Sequence, residues 1–127
     1  MGKIIAFTNQ KGGVGKTTSA VNIAASVGVL GKRVLMVDCD PQGNTTSGFG
    51  ILKKSLGNTV YDALIHRCPL QNAIYKTEFE NVWISPANIS LAGAEFELVN
   101  AQEREARLKE ALCPVRDQFD YIFIDCP

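Results

Sequence analysis

Apolar residues in this chain come in short blocks separated by glycine-rich or polar stretches. Lys3 to Phe7 (KIIAF) is a continuous apolar run, the pattern of a strand buried on both faces. Thr8 to Gly15 is polar and rich in glycine. From Lys16 to Leu30, the residues Ala20, Ile23, Ala24, Val27 and Leu30 recur at helical spacing, and Gly31 stands where a helix-ending glycine belongs. Arg33 to Val37 (RVLMV) is a second buried-strand pattern, closed by Asp38. Strand, loop, helix and strand in direct succession predict a βαβ unit with parallel strands and a right-handed crossover.

Further along, Asp40 to Asn44 (DPQGN) has turn chemistry. Thr45 to Gly57 reads as loop with room for a short helical turn. Thr59 to Arg67 predicts a short helix capped by Asn58 or Thr59 and stopped by Pro69, and Leu70 to Tyr75 a further helical turn. Asn81 to Ser85 (NVWIS) is a third strand. A long helix is predicted from Ser90 to Leu112. Leu91, Ala94, Leu98, Ala101, Leu108 and Leu112 share its apolar face, and only Glu105 interrupts them. Glu103 with Arg107, and Glu105 with Lys109, are i,i+4 pairs in the favourable order. Tyr121 to Asp125 (YIFID) is a fourth strand that again ends in an acid. The expected fold is α/β, a mainly parallel sheet flanked by helices in three layers.

Composition narrows the classes. With 127 residues the chain has the length of one small domain, and 46% hydrophobic content excludes a disordered tail. Thirteen Lys and Arg balance thirteen Asp and Glu, which argues against binding nucleic acid by bulk charge. No apolar run approaches the roughly 18 to 20 residues of a membrane span. The start enters a strand pattern directly, without signal-peptide architecture, and lacks the Ser or Thr of a myristoylation motif. Cys39, Cys68, Cys113 and Cys126 are widely spaced, without a C-x-x-C pair. They are expected to be reduced, mostly buried thiols and not metal ligands.

The strongest chemical signal is Lys11-Gly12-Gly13-Val14-Gly15-Lys16-Thr17-Thr18 between a predicted strand and a predicted helix. Glycines let successive backbone N–H groups turn inward on an anion, and the helix N-terminus adds its dipole. Lys16 supplies a point charge for β and γ phosphates, and the Thr17 hydroxyl suits Mg²⁺. A plain helix-capping turn leaves Lys16-Thr17 unexplained. The first position of the usual G-x-x-x-x-G-K-[ST] pattern is Gln10 here, and Lys11 is an added lysine. It falls too early in the loop for the place of Lys16, but could reach the phosphates of a neighbouring molecule. Ligands of open α/β sheets bind at the carboxyl ends of the strands. Asp38 and Asp125 both follow apolar strands, as a carboxylate that holds Mg²⁺ or its waters does. Either alone could cap a turn; with the loop, they read as metal-shell groups. Asp40, two residues beyond Asp38, is near enough to orient a water on the γ-phosphate.

These segments resemble a known family. The loop from Lys11 to Thr18 is similar to the deviant Walker A motif of the ParA/MinD ATPases. Val37-Asp38-Cys39-Asp40-Pro41-Gln42-Gly43-Asn44 resembles the Walker A′ motif of the ParA/Soj partitioning branch. Pro86-Ala87-Asn88, Leu91-Ala92-Gly93-Ala94-Glu95 and Tyr121 to Pro127 also resemble Soj-type segments. The resemblance implies a P-loop ATPase fold and Mg²⁺-dependent ATP hydrolysis in chromosome or plasmid segregation. Lys11 would reach across an ATP-sandwich homodimer to the partner's phosphates. Lys16 would bind phosphate within its own chain, and Thr17 would ligate Mg²⁺ with Asp38 and Asp125 supporting the metal shell. Gly12, Gly13, Val14, Gly15 and Thr18 would complete the cradle, and Asp40 would position the hydrolytic water. A ParB-type partner and non-specific DNA are implied for the whole protein, with a cytoplasmic, nucleoid-associated location and no membrane. Family members are about twice as long, so residues 1–127 are expected to be the N-terminal portion of a single P-loop ATPase domain, ending after the Walker B strand. DNA contacts would then lie in the missing C-terminal half.

Three alternatives stay open: a nucleotide-binding fragment without turnover, an interaction fragment that pairs its open sheet edge with another copy or with a parental chain, and a MinD-like cell-division-site ATPase. MinD-like proteins carry Gly at the place of Gln10 and a C-terminal membrane helix. Nitrogenase iron-protein relatives need bridging cysteines that these four do not match. His66 is expected at a helix end, Trp83 in packing, and Lys53-Lys54 in a solvated loop.

Overall fold

A computed structural model describes residues 2–7, 14–40, 43–50, 57–87 and 99–126, with backbone alone for 14–17 and 101. Its frame is a five-stranded sheet in the order β1-β5-β2-β4-β3. The strands are β1 (Lys3–Phe7), β2 (Val34–Asp38), β3 (Tyr75–Lys76), β4 (Val82–Ser85) and β5 (Tyr121–Asp125). β1, β5, β2 and β4 run parallel, and β3 is antiparallel to β4. The helices are α1 (Val14–Val29), α2 (Asn44–Gly48), α3 (Val60–Ile65) and α4 (Ala101–Leu112), with 3₁₀ turns at Leu70–Ala73 and Arg116–Gln118.

The continuous apolar run of β2 is explained by burial on both faces. Leu35 and Val37, with Ile122 and Ile124 of β5, pack against Tyr61 and Leu64 of α3 and Leu112 of α4. Val34 and Met36, with Phe123, Val82 and Ile84, pack against Ala20 and Ala24 of α1. Helices on both faces give the expected three-layer α/β/α arrangement. Small residues bring α1 close. A Cβ on Gly28 would stand 2.2 Å from the Glu80 carbonyl oxygen and 2.8 Å from Val82 Cγ2.

Several expectations are corrected. There are five described strands and not four: the expected helical turn forms over Leu70–Ala73, but Tyr75, its expected last residue, and Lys76 pair with β4. β1 is not buried on both faces: Ile4 and Ile5 are 37% and 42% exposed, since among the described residues it is an edge strand paired to β5 alone. On α1, Ala20 and Ala24 face the sheet, but Ile23 and Leu30 are exposed. The helix expected from Ser90 to Leu112 is interrupted before Ala101. Asn100 is extended (φ −63°, ψ 157°) and caps α4 by accepting from the Glu103 N–H at 2.8 Å. Leu91, Ala94 and Leu98 lie outside the described residues. Cys39 alone of the thiols is buried; Cys68 and Cys126 are half-buried and Cys113 is exposed.

Other details hold. The Thr59 N–H donates to Asp62 at 2.7 Å, fixing the start of α3. His66 is its exposed C-cap. Glu103–Arg107 and Glu105–Lys109 pair at 3.1 and 3.3 Å. Trp83 sits edge-on to Phe119 with the Lys76 ammonium 5.0 Å from its ring. Gly31 takes φ +89°, a left-handed value that ends α1 without a Cβ penalty. Lys53 and Lys54 lie outside the described residues.

Candidate functional site

Parallel pairing sets Phe7, Asp125 and Asp38 side by side at the carboxyl ends of β1, β5 and β2. Residues 8–13 join Phe7 to Val14, so the glycine-rich segment departs from this edge. α1 begins at Val14, inside the Lys11–Thr18 motif and earlier than the periodicity predicts, which puts Gly15, Lys16 and Thr17 in its first turn. Lys11, Gly12 and Gly13 lie outside the described residues, and Thr18 is exposed on α1. A helix N-terminus in this position favours anions, through unpaired N–H groups and the dipole.

Both acids are fully buried. Asp38 accepts the Asp40 N–H on Oδ1 at 3.0 Å. Its Oδ2 accepts the Thr46 N–H at 2.9 Å and the Thr46 hydroxyl at 2.7 Å. Burial pushes the Asp38 carboxyl up to about 6, against the opposing pull of the Thr46 and Asp40 donors, and the neighbouring Asp125 adds to the rise. Asp125 accepts a hydrogen bond from the Thr45 hydroxyl. Asp40 is half-buried, and its carbonyl accepts the Gly43 N–H at 2.8 Å, closing the turn expected for DPQGN. Gly43 takes φ +66° as it leads into α2. Cys39 directly follows Asp38, and its N–H donates to the Asp125 carbonyl at 3.0 Å. Burial, then the nearby Cys126 and acids, raises its thiol pKa well above the ordinary value, which disfavours a reactive thiolate.

The sequence reading missed Thr45 and Thr46. Both are fully buried although polar. The Thr46 hydroxyl also accepts the Ala87 N–H at 2.9 Å, reaching the chain just beyond β4. The available signal was their position: paired threonines opening a short helix directly after the acid-bearing turn. Hydroxyl and carboxylate oxygens are the donor set a hard divalent cation such as Mg²⁺ takes, and two buried carboxylates on neighbouring strands suit a cation between them. Both Asp38 oxygens already accept protein donors, so the fit to such an ion rests on the charge of the two acids and on the hydroxyl and carboxylate chemistry beside them. Cavities elsewhere include one of about 250 Å³ between α3 and α4, lined by Leu64, Arg67, Cys68 and Arg107. It contains none of these residues.

Residues 2–127 match the AAA_31 model, described as an AAA domain. The chain is 57% identical over its whole length to the sporulation initiation inhibitor protein Soj of Bacillus subtilis, of which it covers 50%. It is 49% identical, again over its whole length, to the chromosome-partitioning ATPase Soj of Treponema pallidum, of which it covers 49%. The chain therefore spans about half the length of the curated relatives it matches. Its fold superposes with a TM-score of 0.88 on a Mycobacterium smegmatis structure described as cobyrinic acid a,c-diamide synthase with bound ATP analog and magnesium. That match has 41% identity and covers all of this chain and 52% of the other. On this sequence match and this sheet, the chain belongs to the AAA_31 family of AAA domains, and its relatives include Soj-type partitioning ATPases.

Proposed function

We propose that this chain binds MgATP at the carboxyl edge of its sheet and forms part of an ATPase of the ParA/Soj partitioning type. The observation that carries the reading is the placement of Asp38 and Asp125 in register on adjacent parallel strands, beside the end of β1 from which the glycine-rich segment leaves. The relatives' names and the magnesium and ATP analog in the M. smegmatis structure support it.

In this reading the backbone N–H groups of Gly12, Gly13, Val14, Gly15, Lys16, Thr17 and Thr18 cradle the phosphates. Lys16 neutralises β and γ oxygens within its own chain. Lys11 reaches the partner's nucleotide in an ATP-sandwich homodimer, as an arginine finger acts in trans. Thr17, Asp38 and Asp125 would hold Mg²⁺, which supplies charge neutralisation at the phosphates when bound. Asp38 already receives three protein donors, so it contributes its charge and the placement of Asp40 more than open oxygens. Asp40 orients the attacking water on the γ-phosphorus. A ParB-type partner and non-specific DNA belong to the whole protein's cycle under the same reading.

ATP binding and turnover of wild type, Lys16→Ala and Asp40→Ala test it. Binding lost in Lys16→Ala, with turnover lost in both, supports the ATPase. Binding without turnover in the wild type reduces the site to a nucleotide-binding module. No nucleotide effect in any variant overturns the reading.

A further inference from the structure

We propose that Thr46 is the positioning residue for Asp40, acting through Asp38; the inference rests on the role given to Asp40 above. A hydroxyl has one proton. At Thr46 that proton goes to Asp38 Oδ2 at 2.7 Å, and the oxygen accepts the Ala87 N–H at 2.9 Å. Donating to one partner and accepting from the other fixes the hydroxyl's direction. The Thr46 N–H reinforces the same Asp38 oxygen at 2.9 Å. Asp38 Oδ1 in turn accepts the Asp40 N–H at 3.0 Å. A continuous path of hydrogen bonds thus runs from the residue beyond β4, through α2, to the end of β2 and the backbone of Asp40. Every side chain in the path, Thr46 and Asp38, is fully buried, so water does not compete for these bonds.

The preceding residue shows that the arrangement is not confined to one strand. Thr45 donates to Asp125, so consecutive residues of α2 hold the acids of two adjacent strands. Successive helical positions point about 100° apart, which lets one short helix address two strand ends. Asp40 lies between β2 and α2 in the chain, and its own backbone makes two bonds here: its N–H to Asp38 and its carbonyl from Gly43. Removing the Thr46 hydroxyl takes the shorter of two bonds from Asp38 Oδ2 and leaves the Thr46 N–H alone to hold it, so the carboxylate is set less firmly and the Asp40 N–H contact on Oδ1 loosens with it. Nucleotide binding draws on the Lys11–Thr18 loop, and this path meets the proposed Mg²⁺ site only at Asp38, whose charge Thr46→Val leaves in place.

The test uses the whole protein with MgATP. Thr46→Val keeps the shape and removes the hydroxyl, and Thr46→Ser keeps the hydroxyl and removes the methyl. A lost hydrogen bond to a charged group corresponds to a roughly 10- to 100-fold fall in kcat for Thr46→Val. ATP affinity measured directly should change by less than about threefold, and Thr46→Ser should restore most of the rate. Amide exchange gives a second readout: Ala87 and Asp40 should exchange faster in Thr46→Val and stay protected in Thr46→Ser. Should Thr46→Val fail to fold, Thr46→Cys, whose thiol is a weak donor, takes its place with the same direction of change. Equal losses in the serine and valine variants, or unchanged kcat in Thr46→Val, overturn the positioning role. Turnover that survives Asp40→Ala overturns the role of Asp40 itself, and the positioning role falls with it. Turnover lost in Asp40→Ala but intact in Thr46→Val overturns the positioning role alone.

Discussion

Gly28→Ala sets two effects of opposite sign against each other. In an exposed helix the change would stabilise by about 1 kcal/mol, because alanine is the better helix former. Here the added Cβ would meet the Glu80 carbonyl oxygen at 2.2 Å and Val82 Cγ2 at 2.8 Å. A valine methyl can rotate aside, but a backbone carbonyl held in the turn before β4 cannot. The same turn is tied to the helix by the Asn81 side-chain amide, which donates to the Gly28 carbonyl at 3.0 Å. Relief requires α1 to lift from the sheet, opening contacts of Ala20 and Ala24 with Val82, Ile84 and Phe123. Overpacking of this kind costs about 1 to 3 kcal/mol, with the upper end apt where backbone must move. The clash wins, for a net loss of about 2 kcal/mol. With a urea m-value of about 2 kcal/mol/M, the unfolding midpoint falls by about 1 M. A midpoint that is unchanged or raised in Gly28→Ala would refute the close packing of α1 on this turn. Since α1 carries Lys16 and Thr17 at its other end, weaker MgATP binding should accompany the loss.

Asn100→Ala removes the cap of α4 and should cost about 1 kcal/mol in denaturant unfolding, whereas an uninterrupted helix through residue 100 would gain from alanine. The nucleotide- and metal-free chain should show a stability term from Asp38 that strengthens as pH falls. Its folded value of about 6 lies above the ordinary 3.8, so between about pH 6 and pH 3.8 the folded state holds a proton the unfolded state lacks. That difference corresponds to about 3 kcal/mol at full extent. Asp38→Asn should flatten this part of the pH–stability curve, and an unaltered curve would count against the buried carboxyl. Mg²⁺ with ATP should reduce the same dependence in the wild type, because a bound cation favours the ionised form.

What was legible in the sequence followed from strong local patterns. β1 and β5 run between the expected residues, β2 is shifted by one residue and β4 starts one residue later, because apolar blocks bounded by polar turns specify strands in this fold. The acids at the strand ends were visible because each directly closes an apolar run. Their registration across the sheet was not, since Asp38 and Asp125 are brought together by the long-range pairing of β2 and β5. An unpaired apolar edge was expected from so short a sheet, but not that β1 would be it, because an edge strand and a central strand can carry the same five residues. The break before α4 was hidden by an apolar spacing that continues through Asn100, while the cap depends on that one side chain meeting the Glu103 N–H. Thr45 and Thr46 looked like loop polarity. Only the fold shows them buried, with their hydroxyls on the two acids.

The most direct test of the central claim is a titration of the isotopically labelled chain with MgATP, followed residue by residue through its backbone amide signals. A phosphate site at the carboxyl edge predicts that the largest changes fall on Gly15 to Thr18, Asp38 to Asp40, Thr45, Thr46, Asp125 and Cys126, and that Lys16→Ala abolishes them. Changes centred instead on Leu64, Arg67, Cys68 and Arg107, around the cavity between α3 and α4, or an undiminished response in Lys16→Ala, would contradict it.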